Sequence, residues 1–153
     1  MTPRDVSFRV IGKPATAGSK KVFTNKRTGK PIVVPDNDRH VPWRQSVQAA
    51  ALLAMEGRDR IEAGPVLLDC VFVLDRPKSH YRTGKRAGEL KELSPTRHCT
   101  KPDASKLVRA IEDAITGICW LDDNQVSQLS VRKRYAFVGE APGAYVHIRR
   151  LDP

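Results

Sequence analysis

Residues 101–126 read KPDASKLVRAIEDAITGICWLDDNQV, a helix with both of its boundaries and the start of a following strand. Leu107, Val108, Ile111, Ala114, Ile115 and Ile118 recur at the spacing of one apolar helix face. Lys106, Arg109 and Asp113 share a polar face, because residues three and four apart are neighbours on a helix. Thr100 or Asp103 suits the N-terminal cap and Gly117 the C-terminal stop. The spacing predicts a helix over 104–116. Asp103 alone reads as a cap, and Asp113 alone as a surface partner of Arg109.

Outward from this helix, residues 66–74 form a nearly continuous apolar run broken only by Asp69, as in a central strand. Residues 126–135 and 144–151 read as strands, with a turn over 139–143 that contains Pro142. Residues 6–11 read as a strand closed by Gly12 and Pro14. Residues 13–31 read as a mobile loop or hairpin with a turn at Thr28-Gly29-Lys30-Pro31, and 32–34 as a short strand. A second helix is expected over 41–55. Pro42 suits its first turn, and Trp43, Val47, Ala50, Ala51 and Ala54 repeat at helical spacing. Residues 75–101 are polar, basic and long for a plain connection, which marks a functional or disordered loop. The expectation is a single α+β domain over 1–153, a mixed β-sheet packed with two main helices.

The chain has 153 residues and a formal net charge of +10. No apolar run approaches membrane-spanning length, and the N-terminus lacks the apolar core of a secretory leader. No membrane association is expected. Cys70, Cys99 and Cys119 fit no zinc spacing. Cys70 and Cys119 are expected in the core, and a reducing, cytoplasmic compartment fits best. Cys99 follows His98, a weak metal or nucleophile signal with no second Cys/His pair nearby. His40, His80, His98 and His147 are scattered, and His98 alone lies near the acids of the 104–116 helix.

Cations fall in three clusters. Lys13, Lys20, Lys21, Lys26, Arg27 and Lys30 have no acid among them. Arg76, Lys78, Arg82, Lys85, Arg86, Lys91, Arg97 and Lys101 are opposed only by Glu89 and Glu92. Arg132, Lys133 and Arg134 make the third. Such patches suit a polyanion, since neutralised phosphates release counterions. Nucleic acid is the expected partner rather than a small molecule. Against this background the acids around the 104–116 helix stand out. Asp122-Asp123 lie shortly after it, and hard divalent cations take oxygen ligands. The helix spans roughly 20 Å, and an extended 117–122 segment returns about as far. Asp123 thus meets Asp103 within one chain at full reach, or from a partner subunit.

Lys101-Pro102-Asp103, Leu107, Arg109, Asp113-Ala114, Gly117, Asp122-Asp123, Gln125-Val126 and Lys133 together resemble the RusA-type Holliday-junction resolvases of bacteria and their phages. Ile11-Gly12-Lys13-Pro14 extends the resemblance to the N-terminal region. It implies a homodimeric endonuclease that uses Mg²⁺, or Mn²⁺ in its place, to nick four-way DNA junctions symmetrically. It implies metal binding by Asp103 and Asp123, and a catalytic cation at Arg109, a position that is often Lys in the family. The family usually carries a second Asp two residues after the first, where this chain has neutral Ser105. Asp122 or Asp113 is then expected as a replacement ligand. Lys133 and Lys106 are further candidates to stabilise phosphate charge. Lys13, Lys20, Lys21, Lys26, Arg27, Lys101 and Lys106 are candidate DNA contacts, with 13–30 and 76–101 as DNA-binding loops. Two rival readings stay open: a non-catalytic DNA-binding protein in which Asp103 only caps its helix, and a broader nuclease of forks and flaps.

Overall fold

The computed structural model describes residues 5–17, 20–35 and 40–153, without the side chains at 20, 21, 34 and 35. The element order is β1 (Asp5–Ile11), β2 (Lys20–Thr24), β3 (Pro31–Pro35), α1 (His40–Ala54), β4 (Val66–Leu74), α2 (Ala104–Ile115), β5 (Val126–Tyr135) and β6 (Gly143–Arg150). The helices and the long strands lie within a residue of their expected positions. Within the segment read as a loop or hairpin, β2 pairs with β3 to make a separate antiparallel hairpin.

The main sheet is mixed, in the order β1-β6-β4-β5. β6 runs antiparallel to both β1 and β4, while β4 and β5 are parallel. β4 is buried along most of its length because neighbours pair on both sides and helices cover one face. Val6, Val10, Leu68, Cys70, Phe72, Val146 and Ile148 meet Trp43, Val47 and Ala51 of α1 and Leu107, Ile111 and Ile115 of α2 in one core. Burying each such side chain is worth about 1.5–3 kcal/mol. Cys70 and Cys119 are buried in this core, and their thiols are pushed up chiefly by desolvation, that of Cys119 to about 12. Cys99 is free and exposed.

Two glycines fix the chain where side chains could not. Gly117 adopts φ +87°, just past the end of α2, and its N–H donates to Trp120 O at 2.7 Å. This reversal seats the fully buried Trp120 indole, whose Nε1 donates to Thr116 Oγ1 at 3.0 Å. At Gly143 a Cβ would run into the Val10 carbonyl, so β1 and β6 close up only around a glycine.

The 75–101 connection is ordered by its own contacts. Arg82 N donates to Glu89 O at 2.7 Å and Lys91 N to His80 O at 2.9 Å, folding 80–91 back on itself. Arg76 pins the segment from inside, donating to Ala136 O at 2.7 Å and Pro95 O at 2.8 Å. Its end lies along β5: Tyr135 N donates to Thr96 O at 2.8 Å, and His98 N to Lys133 O at 3.3 Å.

Candidate active site

Asp103 occupies the N-cap position of α2 with extended backbone, yet its side chain makes no capping hydrogen bond. Its carboxylate is exposed, with Lys106 Nζ 3.7 Å from Oδ2. Side-chain capping of the helix is therefore not a role that this carboxylate plays.

The loop that presents Asp103 is held from β5. Lys133 Nζ donates to Thr100 O at 2.7 Å and to Pro102 O at 2.8 Å, one carbonyl being that of the residue before Asp103. Hydrogen bonds from an ionised donor are about twice as strong as neutral ones. His98 packs beside this clasp. Its ring is tilted on Tyr135 with centroids 4.8 Å apart, and its Nε2 lies 3.3 Å from Thr100 Oγ1. Burial, then the Lys133 charge, pushes the His98 imidazole below its ordinary range, so it is neutral near pH 7.

The same loop meets the N-terminal motif. Lys13, Pro14, Asp75, His98, Lys101 and Pro102 line one open cleft, so two cations distant in sequence share a cleft with the residue that precedes Asp103. Asp75, at the end of β4, escapes sequence reasoning because it closes an apolar strand with no motif around it.

At the other end of α2 lies a second group of acids. Glu112 is half-buried, and its carboxyl is pushed up first by desolvation, then by Asp123 and by Asp113, with Arg109 partly offsetting them. The charges of Asp123, Asp113 and Arg109 are thus all felt at Glu112. Glu112 was missed by sequence reasoning, although a signal existed: Ser105, Arg109 and Glu112 stand at i, i+4 and i+7, one stripe of the helix. Nine residues separate Asp103 from Glu112, about 14 Å of helix rise. Asp122 has a local task. Its Oδ1 accepts from Asn124 N at 2.9 Å, while Gln125 Oε1 accepts from Asp122 N at 2.9 Å, a reciprocal cap on the Asp123–Gln125 turn.

The third basic cluster is largely spent within the protein. Arg132 pairs with Asp69 at 3.0 Å, which explains the one acid in the apolar β4 run. Arg134 pairs with Glu140 at 2.6 Å, and Lys133 forms the clasp. By contrast Lys13, Lys26, Arg27, Lys30, Lys101, Lys106 and Arg109 are exposed. Lys20 and Lys21 lie on β2, with their side chains outside the described residues.

Among the described residues no three His, Cys, Asp or Glu side chains are grouped as a cage for a metal ion. The donor set still suits Mg²⁺, which keeps several waters and is commonly held by one or two carboxylates plus substrate phosphates. Asp103 and Asp123 are both exposed carboxylates of that kind, but they lie toward opposite ends of α2 and do not meet within one chain.

A family model described as endodeoxyribonuclease RusA matches residues 12–149. The chain belongs to the RusA family. A relative in Bacillus subtilis (strain 168), the uncharacterised protein YqaN, is 32% identical over 148 residues, spanning 96% of this chain and 97% of its own length. RusA membership makes DNA the substrate class and phosphodiester hydrolysis the reaction type. The match begins at Gly12, so it takes in the Gly12-Lys13-Pro14 motif as well as α2 and β5. Among the described residues no helix is long and apolar enough to cross a membrane.

Proposed function

We propose that this RusA-family chain is a divalent-metal-dependent endonuclease that resolves four-way DNA junctions by paired nicks, acting as a homodimer in the cytoplasm. The observation that carries the reading is Asp103: an exposed carboxylate at a helix N-terminus, not used as a cap, on a loop clamped by Lys133. A clamped loop that ends in an exposed carboxylate, paired only with the exposed Lys106, suits a ligand held ready for substrate.

Because Asp103 and Asp123 lie toward opposite ends of α2 in one chain, Mg²⁺, or Mn²⁺ in its place, would be held between protomers, by Asp103 of one and Asp123 of the other, with Asp113 standing in for the acid absent at Ser105. When bound, the ion supplies a water of lowered pKa and neutralises charge on the scissile phosphate. The rest is done by this chain's own side chains. Arg109 offers a planar guanidinium fork to phosphate oxygens. Lys106 and Lys101 add charge beside Asp103, and Lys13 adds charge in the cleft that Lys101 and Pro102 line. Lys133 keeps the loop in place rather than meeting phosphate. Lys20, Lys21, Lys26 and Arg27 extend the contact along the duplex arms through phosphates, which position DNA without reading sequence. Two-fold symmetry would present two such sites to the paired strands of a junction.

Incubation of the full chain with four-way junction, fork, flap and linear duplex, with and without Mg²⁺, tests this. Junction-selective nicking that needs the metal is expected. Asp103→Asn and Asp123→Asn should each abolish it while binding survives. Either variant cleaving at the wild-type rate, or a light-scattering mass of one protomer at full activity, would refute the corresponding part.

A further inference from the structure

The β2–β3 hairpin stands apart from the main sheet and leaves apolar side chains bare on both of its faces. Val22, Phe23, Ile32 and Val33 are 64, 55, 43 and 54% exposed. From Val22 to Val33 no side chain is buried, and only Asn25 is partly covered. The strand register places Phe23 opposite Ile32 and Val22 opposite Val33. Successive side chains alternate faces, so each face presents one of these pairs. The tip is built firmly. Asn25 Oδ1 accepts from Arg27 N at 2.9 Å and Thr28 N at 3.3 Å, Asn25 N donates to Lys30 O at 2.9 Å, and Gly29 takes φ +67°. Soluble domains rarely leave an aromatic and three branched aliphatics uncovered together unless something covers them in use.

Charge selects the occupant. Between Asp5 and Asp36 the chain carries no acid, and Lys26, Arg27 and Lys30 crowd the hairpin tip. A second copy docking there would set like charges face to face, which is costly. A polyanion gains from the same cations. The apolar pairs then narrow the kind of polyanion. An intact duplex hides its base faces in the stack, and opening a step costs unstacking energy. A branch point already exposes base-pair faces, on which an aromatic side chain can stack.

We propose that the hairpin is a branch-point wedge: Phe23, backed by Ile32, stacks on base pairs exposed where the arms of branched DNA meet, while Lys26, Arg27 and Lys30 hold the flanking phosphates. The proposal rests on the reading that the chain acts on branched DNA, and it assigns structure selectivity to a site distinct from the acids that would cut.

The test is equilibrium binding of the full chain, in EDTA, to an immobile four-way junction and to a linear duplex of matched length. Phe23→Ala with Ile32→Ala should weaken junction binding by about tenfold or more, the value of stacking on one base. Duplex binding should stay within about twofold, since phosphate contacts are intact. Phe23→Trp should retain junction affinity. These side chains support no core, so the variants fold. Equal loss on both DNAs, no loss on the junction, or a change in oligomeric mass on removing the apolar pair would overturn the wedge, the last by assigning the hairpin to a second copy. The wedge and the nuclease fail separately: binding in EDTA reads only the first, and nicking in Mg²⁺ only the second.

Discussion

Replacing Lys133 with Met separates two jobs that a lysine beside a nuclease site can do. In this fold the ammonium donates to Thr100 O at 2.7 Å and Pro102 O at 2.8 Å. Charged hydrogen bonds are worth about 1.5–3 kcal/mol each. The carbonyls lie near the surface and water replaces part of the loss, so about 2 kcal/mol is the expected net cost. In a domain of this size that lowers Tm by about 4–8 °C. The larger effect is local. With the clasp gone, the loop before Asp103 is free to shift, and a misplacement near 1 Å costs about 10²-fold in rate. Single-turnover cleavage of a four-way junction should therefore fall by about that factor. Junction affinity should change little, because the lost charge faced carbonyls rather than phosphates. The log–log salt slope should also stay put, whereas a lost duplex phosphate contact removes about 0.9 from it. Lys133→Arg should recover much of the rate, since its fork can reach both carbonyls. A salt slope that drops with a matching loss of affinity would put Lys133 on the DNA and end the clasp argument, as would a wild-type cleavage rate in Lys133→Met.

Three further outcomes are expected. Ser105→Asp, which adds a carboxylate one turn before Arg109, should lower the Mg²⁺ midpoint for cleavage; an unchanged midpoint in a metal titration would mean another acid already fills that role. Glu140 accepts from Arg134 at 2.6 and 2.9 Å, and these bonds, with lesser help from Phe137 N and Tyr145 Oη and against desolvation, hold its carboxyl at about 2. Because the folded value lies below the ordinary 4.5, the stabilisation is full above pH 4.5 and fades as pH falls toward 2. Glu140→Gln should cost about 2 kcal/mol at pH 7, after allowance for solvent screening, and little near pH 2 in urea unfolding; a cost independent of pH would contradict the cause given. Glu112 has the opposite sign: its carboxyl is raised, so its neutral form suits the fold and ionisation costs stability as pH rises through the folded value. Glu112→Gln should raise Tm at pH 7, with the gain vanishing below pH 4, and a loss of stability at pH 7 would show that the charge is favourably held.

Helix α2 was legible from its apolar spacing and from Gly117, and β4 from its unbroken apolar run, because local periodicity and backbone preference decide element type. The acids on α2 and after it, and their order along the chain, pointed to the RusA family before any contact was known. What those acids and cations touch was not legible. Lys133 and Asp122 looked like site residues by position, yet one clamps carbonyls and the other caps a turn. Asp69 looked like a flaw in a strand until Arg132 arrived beside it. The insertion of β6 between β1 and β4, which leaves β5 at the edge beside α2, depends on pairings such as Val6 with Ile148 and Phe72 with Ala144. Such contacts join residues far apart in the chain, and no local pattern encodes which distant partner a strand or a charge will find. Sequence alone thus determined the elements and the chemistry on offer, while the tertiary structure decided which charges are spent on holding the fold and which stay free to act.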